Sequence, residues 1–554
     1  MAPPFRLLLA VVALSLCWLP ASARAKDDLV IGISQFPATL HPSLEAMMAT
    51  LTVTDMAVRP LTAFDAGWQL ACVLCERLPT FENGLARREP AADGRQGVAL
   101  TYRLRQGLFW ADGTPVGAAD ARFTWEVGRH PRAGIADAEL YRRILDVEIK
   151  DPRTFVVHLD RLTFDYNALN DFRLLPAHVE RDRFDAAPEE YRNRTAYDRD
   201  PTLAGLYNGP YRITQVVQGS HVVLEPNPHW SGPPPAFRRI VVRAVENTAA
   251  LEAQLLAGAV DMVPGGLGLP LDQAVAFARR ADPRFRVLFK SGLAYEHLEV
   301  NLASPLLGDR RLRRALMYAM DREQIGRQLF DGRQPVADSV VNPLDGVHAD
   351  DGPRYAYDPA QAAQLLEQAG WHQRGAVRRN ARGEPLIVDI MTTAGNRSRE
   401  LVAQAIQGQW RRLGIDSRLR TEPARIFFGD TVPHRRFAHL ALFAWISSPE
   451  NVPRTTLHST MIPSAANNWS GQNVSGYADA RMDGLLDAIE GELDKDRRRI
   501  LWRRLQHLYA EDLPALPLFF QTDATIVPSA LHGVEPTGHQ APATLWVEHW
   551  RWRP

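Results

Sequence analysis

A strand, a helix and a second strand follow one another within residues 237–263, and this alternation constrains the fold most. FRRIVVRAV (237–245) is rich in β-branched residues, TAALEAQLLAG (248–258) has a helical composition, and VDMV (260–263) is again strand-like. A second unit of this kind follows, with a helix over 401–414 and a strand in IDSRLRT. Such alternation predicts an α/β architecture.

Other short apolar runs, bounded by turn residues, predict further strands. They are LVIGIS (29–34), TFVVHL (154–159) and HVVLEP (221–226). The stretch from 99 to 127 begins with alternating residues, turns at Asp-Gly and then becomes helical. The polar, Arg- and Asp-rich stretch 180–202 predicts a surface loop with a short helix.

YDPAQAAQLLEQAGW (357–371) predicts a helix with a defined start and end. Asp358 can accept hydrogen bonds from the free N–H groups of the first turn, and Pro359 fits that turn. Gly370 can end the helix. The expected buried face consists of Ala362, Leu365, Leu366 and Ala369.

The 554 residues carry a formal net charge of zero, with 45% hydrophobic and 23% charged residues. This is the composition of a globular protein with about three domains or subdomains. Because acidic residues balance the basic ones and no long basic run occurs, nucleic acid is not the expected partner.

The first 25 residues have the pattern of a secretory signal peptide: Arg6, a short apolar run, and the small residues of ASARA. Cleavage would follow Ala23 or Ala25. An uncleaved membrane anchor and a lipoprotein attached through Cys17 are alternatives, although Leu16 is larger than the residue that usually precedes a lipid-modified cysteine. We expect an exported, periplasmic protein that does not span the membrane.

Export would place Cys72 and Cys75, in ACVLCERL, in an oxidising compartment. A second cysteine pair or a nearby histidine, which a zinc site would need, is missing from the sequence around them. A structural disulfide between Cys72 and Cys75 is the favoured prediction. Two free thiols and a redox-active pair remain alternatives.

Three short motifs of common catalytic sites are missing from the sequence. G-x-x-x-x-G-K-[ST], H-E-x-x-H and G-x-S-x-G are all absent from it, and GGLGLP (265–270) lacks dinucleotide-binding spacing and predicts a loop. We therefore expect no catalytic residues, no metal and no cofactor. An exported hydrolase that assembles its site from distant residues is the rival hypothesis.

Five stretches together resemble the family 5 extracellular solute-binding proteins, which are the peptide, dipeptide and nickel receptors of ABC importers. The most specific is LTYRLRQGLFWADGTPVGAADARFTWE, with its Asp-Gly-Thr-Pro turn. The five stretches, in order, occupy 100–126, 208–230, 312–325, 357–371 and 509–520.

This resemblance implies a type II periplasmic-binding-protein fold, with two α/β lobes and an extra subdomain inserted in the first. Residues 1–25 would be the signal peptide. Lobe one would comprise 26–50, 201–290 and 511–554, its insertion 51–200, and lobe two 291–510. The implied function is to capture a peptide or similar solute between the lobes and deliver it to an ABC permease with its ATPase subunits. A monomer is expected.

In peptide-binding relatives, the lobe-two strand that ends in Trp is followed by an acid that pairs with the α-ammonium group of the peptide. The corresponding stretch here is FAWISSPENVP (443–453), with Ser447 and Ser448 near the position of the acid. Glu450 would replace that acid if the loop bends inward, or else lies solvated on the surface. The departure supports an alternative cargo, such as a sugar, an opine or a metal chelate.

The candidate ligand-binding residues combine aromatic rings with neutral polar groups, which suit a ligand of mixed polarity. A position in the core or on the surface is the alternative for each of them. The candidates are Trp445, Ser447, Trp469, Phe36 and Asn468.

Overall fold

The computed structural model describes residues 27–553, except residues 46, 92–94, 246, 468 and 470. The predicted signal peptide, 1–25, lies outside the described residues. The α-helices are α1 Met48–Thr54, α2 Ala118–Arg129, α3 Ala138–Arg143, α4 Ala177–Ala186, α5 Ala196–Arg199, α6 Thr248–Leu256, α7 Leu271–Arg279, α8 Arg310–Tyr318, α9 Arg322–Phe330, α10 Pro359–Gln368, α11 Arg397–Arg411, α12 Ala424–Ile426, α13 Arg454–Leu457, α14 Ala480–Gly491 and α15 Lys495–Asp512.

Short 3-10 turns and one π turn, Phe427–Thr431, connect some of these elements. The β-strands are β1 Asp28–Ile33, β2 Thr62–Phe64, β3 Leu70–Cys72, β4 Ala86–Pro90, β5 Gln96–Arg103, β6 Ile144–Asp151, β7 Thr154–Leu159, β8 Tyr211–Val217, β9 His221–Pro226, β10 Arg239–Ala244, β11 Phe285–Val300, β12 His372–Arg374, β13 Val377–Arg379, β14 Ile387–Thr393, β15 Asp416–Glu422, β16 Leu440–Ile446, β17 Ala515–Pro528, β18 Leu531–His532 and β19 Arg551–Trp552.

The first sheet has the strand order β1-β10-β9-β8, with β1 parallel to β10. The strands β7 and β9 lie where the sequence predicts them, as does the helix α6. The strand predicted over 260–263 is wrong, because this segment makes only single bridges, from Met262 to Ile31 and from Val263 to Ile526. The segment therefore passes the edge of the sheet without extending it.

The second sheet has the order β15-β14-β16-β11-β17, in which β14 is parallel to both of its neighbours. The long strands β11 and β17 pair antiparallel over most of their length, with a register shift between Ser291 and Tyr295. Helices α8, α10 and α11 contribute apolar side chains to the core of this sheet. The alternation of strands and helices confirms the predicted α/β class.

The third sheet, β4-β5-β7-β6, is antiparallel throughout. Cys72 and Cys75 are joined by a disulfide, with their Cα atoms 5.1 Å apart. Cys75 is buried in the apolar core that this sheet shares with α2. The lobe and insertion boundaries given above stay a prediction.

The predicted helix over 357–371 is confirmed as α10. Asp358 accepts a hydrogen bond from the backbone N–H of Gln361 at 2.9 Å, and Gly370 has a φ of 83°, which glycine adopts without steric cost. Ala362 and Leu366 are fully buried, while Leu365 and Ala369 are partly buried against the same core.

The prediction of a surface loop over 180–202 is wrong for its aromatic residues. Tyr191 and Tyr197 are fully buried in the core around the first sheet, and the hydroxyl of Tyr191 lies 3.2 Å from Nε2 of the buried His41. The two arginines between them, Arg192 and Arg194, face solvent, so the polar composition of the stretch hides the buried rings. In the part of the chain that the structure describes, no helix has both the length and the apolar content needed to cross a membrane.

Candidate ligand-binding site

Trp445 lies near the end of β16, directly opposite Tyr295 of β11. β16 is buried from Leu440 to Phe443, and burial decreases after that point until Ile446 is 71% exposed. The strand therefore carries Trp445 from the core to the surface of the five-stranded sheet.

One hydrogen bond and one ring contact fix the orientation of the Trp445 side chain. Its Nε1 donates to Glu299 Oε2 at 3.4 Å, and Phe443 contacts its ring edge-to-face at a centroid distance of 5.1 Å. The same Glu299 oxygen lies 2.9 Å from Nε2 of the fully buried His297. Because His297 and Glu299 lie on one face of β11, the rigid strand orients the indole.

Trp445 and Ser447 line one cavity, which encloses about 660 Å³ including space open to solvent. Its lining combines apolar side chains with neutral hydroxyl and amide side chains, and it contains one carboxylate, Asp345. The lining residues are Leu293, Tyr295, Val340, Val341, Asn342, Asp345, Val347, Trp445, Ile446, Ser447, Ser448, Asn451, Pro453, Thr455, Thr456, Gln472 and Trp502. We call this the indole cavity.

The two serines after Trp445 hold the backbone at the mouth of the indole cavity. The Ser447 hydroxyl donates a long hydrogen bond of 3.5 Å to the carbonyl of Leu293, on β11. The carbonyl of Ser448 accepts from the backbone N–H of Asn451 at 3.2 Å and so closes a turn.

Glu450 occupies this turn with a φ of 53°, a left-handed conformation that turns of this shape usually assign to Gly or Asn. Its carboxylate pairs with the guanidinium of Arg498 at 3.3 Å, and Arg498 is nearly buried against the ring of Phe164. Glu450 is not among the residues that line the indole cavity. Glu450 thus neither points into the cavity nor lies free in solvent, because its carboxylate is held in the ion pair with Arg498.

Asp345 lies on the opposite wall of the cavity and connects that wall to this turn. Its carboxylate accepts from the backbone N–H of Glu450 at 2.9 Å and of Val347 at 3.2 Å. Burial raises the pKa of Asp345 above its ordinary value, while these two N–H groups act in the opposite direction. Nearby, the Asn342 side chain donates to the carbonyl of Gly292 at 2.6 Å and ties the same segment to β11.

Two of the other predicted site residues, Phe36 and Trp469, lie outside the lining of the indole cavity. Phe36 is partly buried against the core of the first sheet. Trp469, with a φ of 58°, packs edge-to-face on His434 at 4.8 Å. Asn468 lies outside the described residues.

Sequence reasoning missed most of the remaining lining. Tyr295, Asp345 and Trp502 come from β11, from the loop that precedes α10, and from α15. The turn residues of NPLDG (342–346) are a signal for a loop, but they do not indicate which surface that loop faces.

A second cavity lies beside the indole cavity. The backbone N–H of Leu293, which lines the first, donates to the carbonyl of Gly538, which lines the second, at 2.8 Å. Its lining residues are Met48, Met262, Pro264, Gly265, Asp523, Thr525, Pro536, Thr537, Gly538, His539, Pro542, Ala543, Thr544 and Trp550. We call it the carboxylate cavity.

Comparison with known proteins identifies the family. The sequence signature described as "Bacterial extracellular solute-binding proteins, family 5 Middle" matches residues 80–464, well over half of the chain. The chain belongs to this family. The predicted membership is confirmed.

Relatives of known structure confirm the two-lobed α/β fold of family 5. The oligopeptide-binding protein of Thermus thermophilus, solved with a pentapeptide, is 26% identical, with a TM-score of 0.76, and the match covers 95% of this chain and 96% of that one. NikA of Brucella suis, solved with Fe(III)-EDTA, has a TM-score of 0.78 at 20% identity, with 95% of this chain and all of that one covered. This second likeness concerns the fold alone.

A curated relative agrees over most of the chain. The oligopeptide-binding protein AppA of Bacillus subtilis (strain 168) is 23% identical over 511 residues, which cover 91% of this chain and 88% of AppA. AppA and the Thermus thermophilus protein are both named as oligopeptide-binding proteins.

Proposed function

We propose that the protein is the exported receptor of an ABC importer and that it captures a peptide in the indole cavity. The observation that carries the proposal is the lining of that cavity: an oriented indole beside hydroxyl and amide side chains from four chain segments. Neutral donors and acceptors of this kind match the N–H and C=O groups of a peptide main chain, whereas the indole offers a flat apolar surface to a side chain.

The names of two relatives support the choice of cargo. AppA is an oligopeptide-binding protein, and the Thermus thermophilus protein was solved with a pentapeptide. Both matches cover nearly the whole of this chain, so the comparison includes the segments that build the indole cavity.

The proposed mechanism is closure of two lobes over the solute. Lobe one comprises residues 26–50, 201–290 and 511–554, with residues 51–200 as its insertion, and lobe two comprises residues 291–510. The solute stabilises the closed arrangement because it contacts both lobes only there. The closed receptor then presents the solute to a membrane permease with its ATPase subunits.

Export through the predicted signal peptide places this receptor in the periplasm. The expected mature chain begins after Ala23 or Ala25, and N-terminal sequencing of protein from a periplasmic fraction tests this. A chain that retains Arg6 and the apolar run would contradict cleavage.

Mass spectrometry of the solutes that copurify with natively expressed protein tests the cargo. We expect short peptides of varied sequence, and small-angle scattering should show a smaller radius of gyration when such peptides saturate the protein. A sugar, an opine or a metal chelate as the main copurified solute would replace the peptide in this proposal. Recovery of a chemically transformed product would favour the hydrolase instead.

A further inference from the structure

Asp523, on β17, lines the carboxylate cavity, and the part of the chain that the structure describes offers no partner for its charge. It is only partly exposed, yet among the described residues it takes part in no ion pair and no side-chain hydrogen bond. Burial raises the pKa of Asp523 from 3.8 to about 6. An unpaired carboxylate in such surroundings destabilises the folded chain, and the presence of Asp523 at this position therefore needs an explanation.

The lysine that lies directly across the strand pair does not neutralise it. Lys290 of β11 is in register with Asp523, but its ammonium group donates to the carbonyl of Ala66 at 3.1 Å and lies 5.8 Å from the ring centre of Trp68. The Lys290 ammonium group therefore binds to a neighbouring loop and not to Asp523.

His539, the other titratable group on the cavity wall, is held in its neutral form. Its Nε2 lies 3.0 Å from the carbonyl of Asp65, and its Nδ1 accepts from the backbone N–H of Ala541 at 3.2 Å. Burial lowers the pKa of His539 further. The remaining lining residues, from α1, from the loop before α7 and from the C-terminal segment, contribute no charged side chain.

Two more polar atoms of the lining residues lack a hydrogen-bond partner among the described residues. They are the Thr544 hydroxyl and the Trp550 indole N–H, both on fully buried residues. The residues that line this cavity therefore carry one charged acceptor, one hydroxyl and one donor that have no partner among the described residues. Buried polar groups are nearly always paired, so this cluster indicates a site for a polar occupant.

One part of the remaining wall is apolar and closely fitted. Met48, Met262 and Pro264 line one side. A Cβ atom at Gly265 would lie 2.7 Å from the Cβ of Asp523, closer than real atoms approach, so this loop can pack over the carboxylate only with glycine there.

We propose that the carboxylate cavity is a subsite for a cationic group, a primary ammonium or a guanidinium on an apolar stem. Asp523 pairs with the charge, the Thr544 hydroxyl accepts a further hydrogen bond, and the methionine side chains contact the stem. The subsite belongs to the solute that also fills the indole cavity, and to that extent it rests on the proposed function. A cation and a partly buried carboxylate form a charge-assisted hydrogen bond that neutral groups do not match.

Propylammonium chloride tests the subsite without reference to peptides. At about pH 7.5, where Asp523 is ionised, it should raise the Tm of the wild-type protein more than an equal concentration of sodium chloride. The excess shift should vanish in Asp523→Asn and persist in Asp523→Glu. It should also persist in Asp182→Asn, which removes an exposed carboxylate of α4. An equal shift in every variant, or no shift in the wild type, would overturn the proposal.

Peptides then identify the source of the cation. If the subsite takes a side chain, Asp523→Asn should lower the affinity for Ala-Lys-Ala about tenfold and leave that for Ala-Met-Ala unchanged. If it takes the α-ammonium group, the loss should appear with trialanine and be absent with N-acetyl-trialanine. An equal effect on all four peptides would contradict the subsite. Failure of every peptide to bind the wild type would contradict the peptide receptor, whereas the propylammonium result would still decide the subsite.

Discussion

The two adjoining cavities each contain one acid, and the two acids differ in their hydrogen-bond partners. In the indole cavity, both oxygens of Asp345 accept backbone N–H groups, so the carboxylate supports the wall. In the carboxylate cavity, Asp523 has no partner among the described residues. A satisfied carboxylate contributes to the fold, while an unsatisfied one costs stability and is available to a ligand.

Asp345→Ala should destabilise the protein by about 3 kcal/mol, because it leaves two backbone N–H groups near the cavity without an acceptor. Urea unfolding measures the change, and Asp350→Ala, which removes a 95% exposed side chain five residues along, is the matched control. A loss no larger than that of the control would show that Asp345 does not support the wall.

Trp445→Ala should weaken peptide binding by about 2 kcal/mol, roughly thirtyfold, if the indole contacts the solute. Titration calorimetry with a copurified peptide measures the affinity. Trp371→Ala, which removes a partly buried indole from the core beside α10, should leave it unchanged. Equal affinities for the wild type and Trp445→Ala would assign Trp445 to the core.

Asp523→Asn should become more stable than the wild type as the pH rises. Because the folded chain raises the pKa of Asp523 from 3.8 to about 6, its carboxyl group favours folding below 3.8, and this contribution is lost as the pH passes about 6. The advantage of the variant should grow by about 1–2 kcal/mol between about pH 4 and pH 7, since the group is partly exposed. Denaturant unfolding at both pH values tests this, and a difference independent of pH would contradict it.

Ser447→Ala should have the smallest effect, a loss of stability below about 0.5 kcal/mol, because a 3.5 Å hydrogen bond is at the limit of the useful range. Thermal unfolding measures it. A larger loss would mean that the serine holds the mouth of the cavity more firmly than its geometry indicates.

Local signals predicted the elements that depend on local chemistry. Asp358 and Gly370 mark the ends of α10 in the sequence, because the residues that cap a helix lie within a few positions of its ends. The strand predicted over 260–263 failed because pairing depends on distant neighbours, and the buried Tyr191 and Tyr197 were hidden within a polar stretch.

The residues of the indole cavity also fall into two groups, those that local sequence signals predict and those that they do not. Trp445 and Ser447 are close together in the sequence and were predicted together, and the structure brings both to one cavity. Asp345 reaches that cavity from a loop about a hundred residues earlier, and Trp502 reaches it from a later helix. Asp and Trp residues also occur at many other positions of the chain, so only the folded arrangement reveals what these two face.

The hydrogen bond between Leu293 and Gly538 also couples the two cavities. It joins two residues that are far apart in the sequence, and each of them lines a different cavity. Because closing so long a loop costs chain entropy before the contact can form, we expect the two cavities to form together and late in folding.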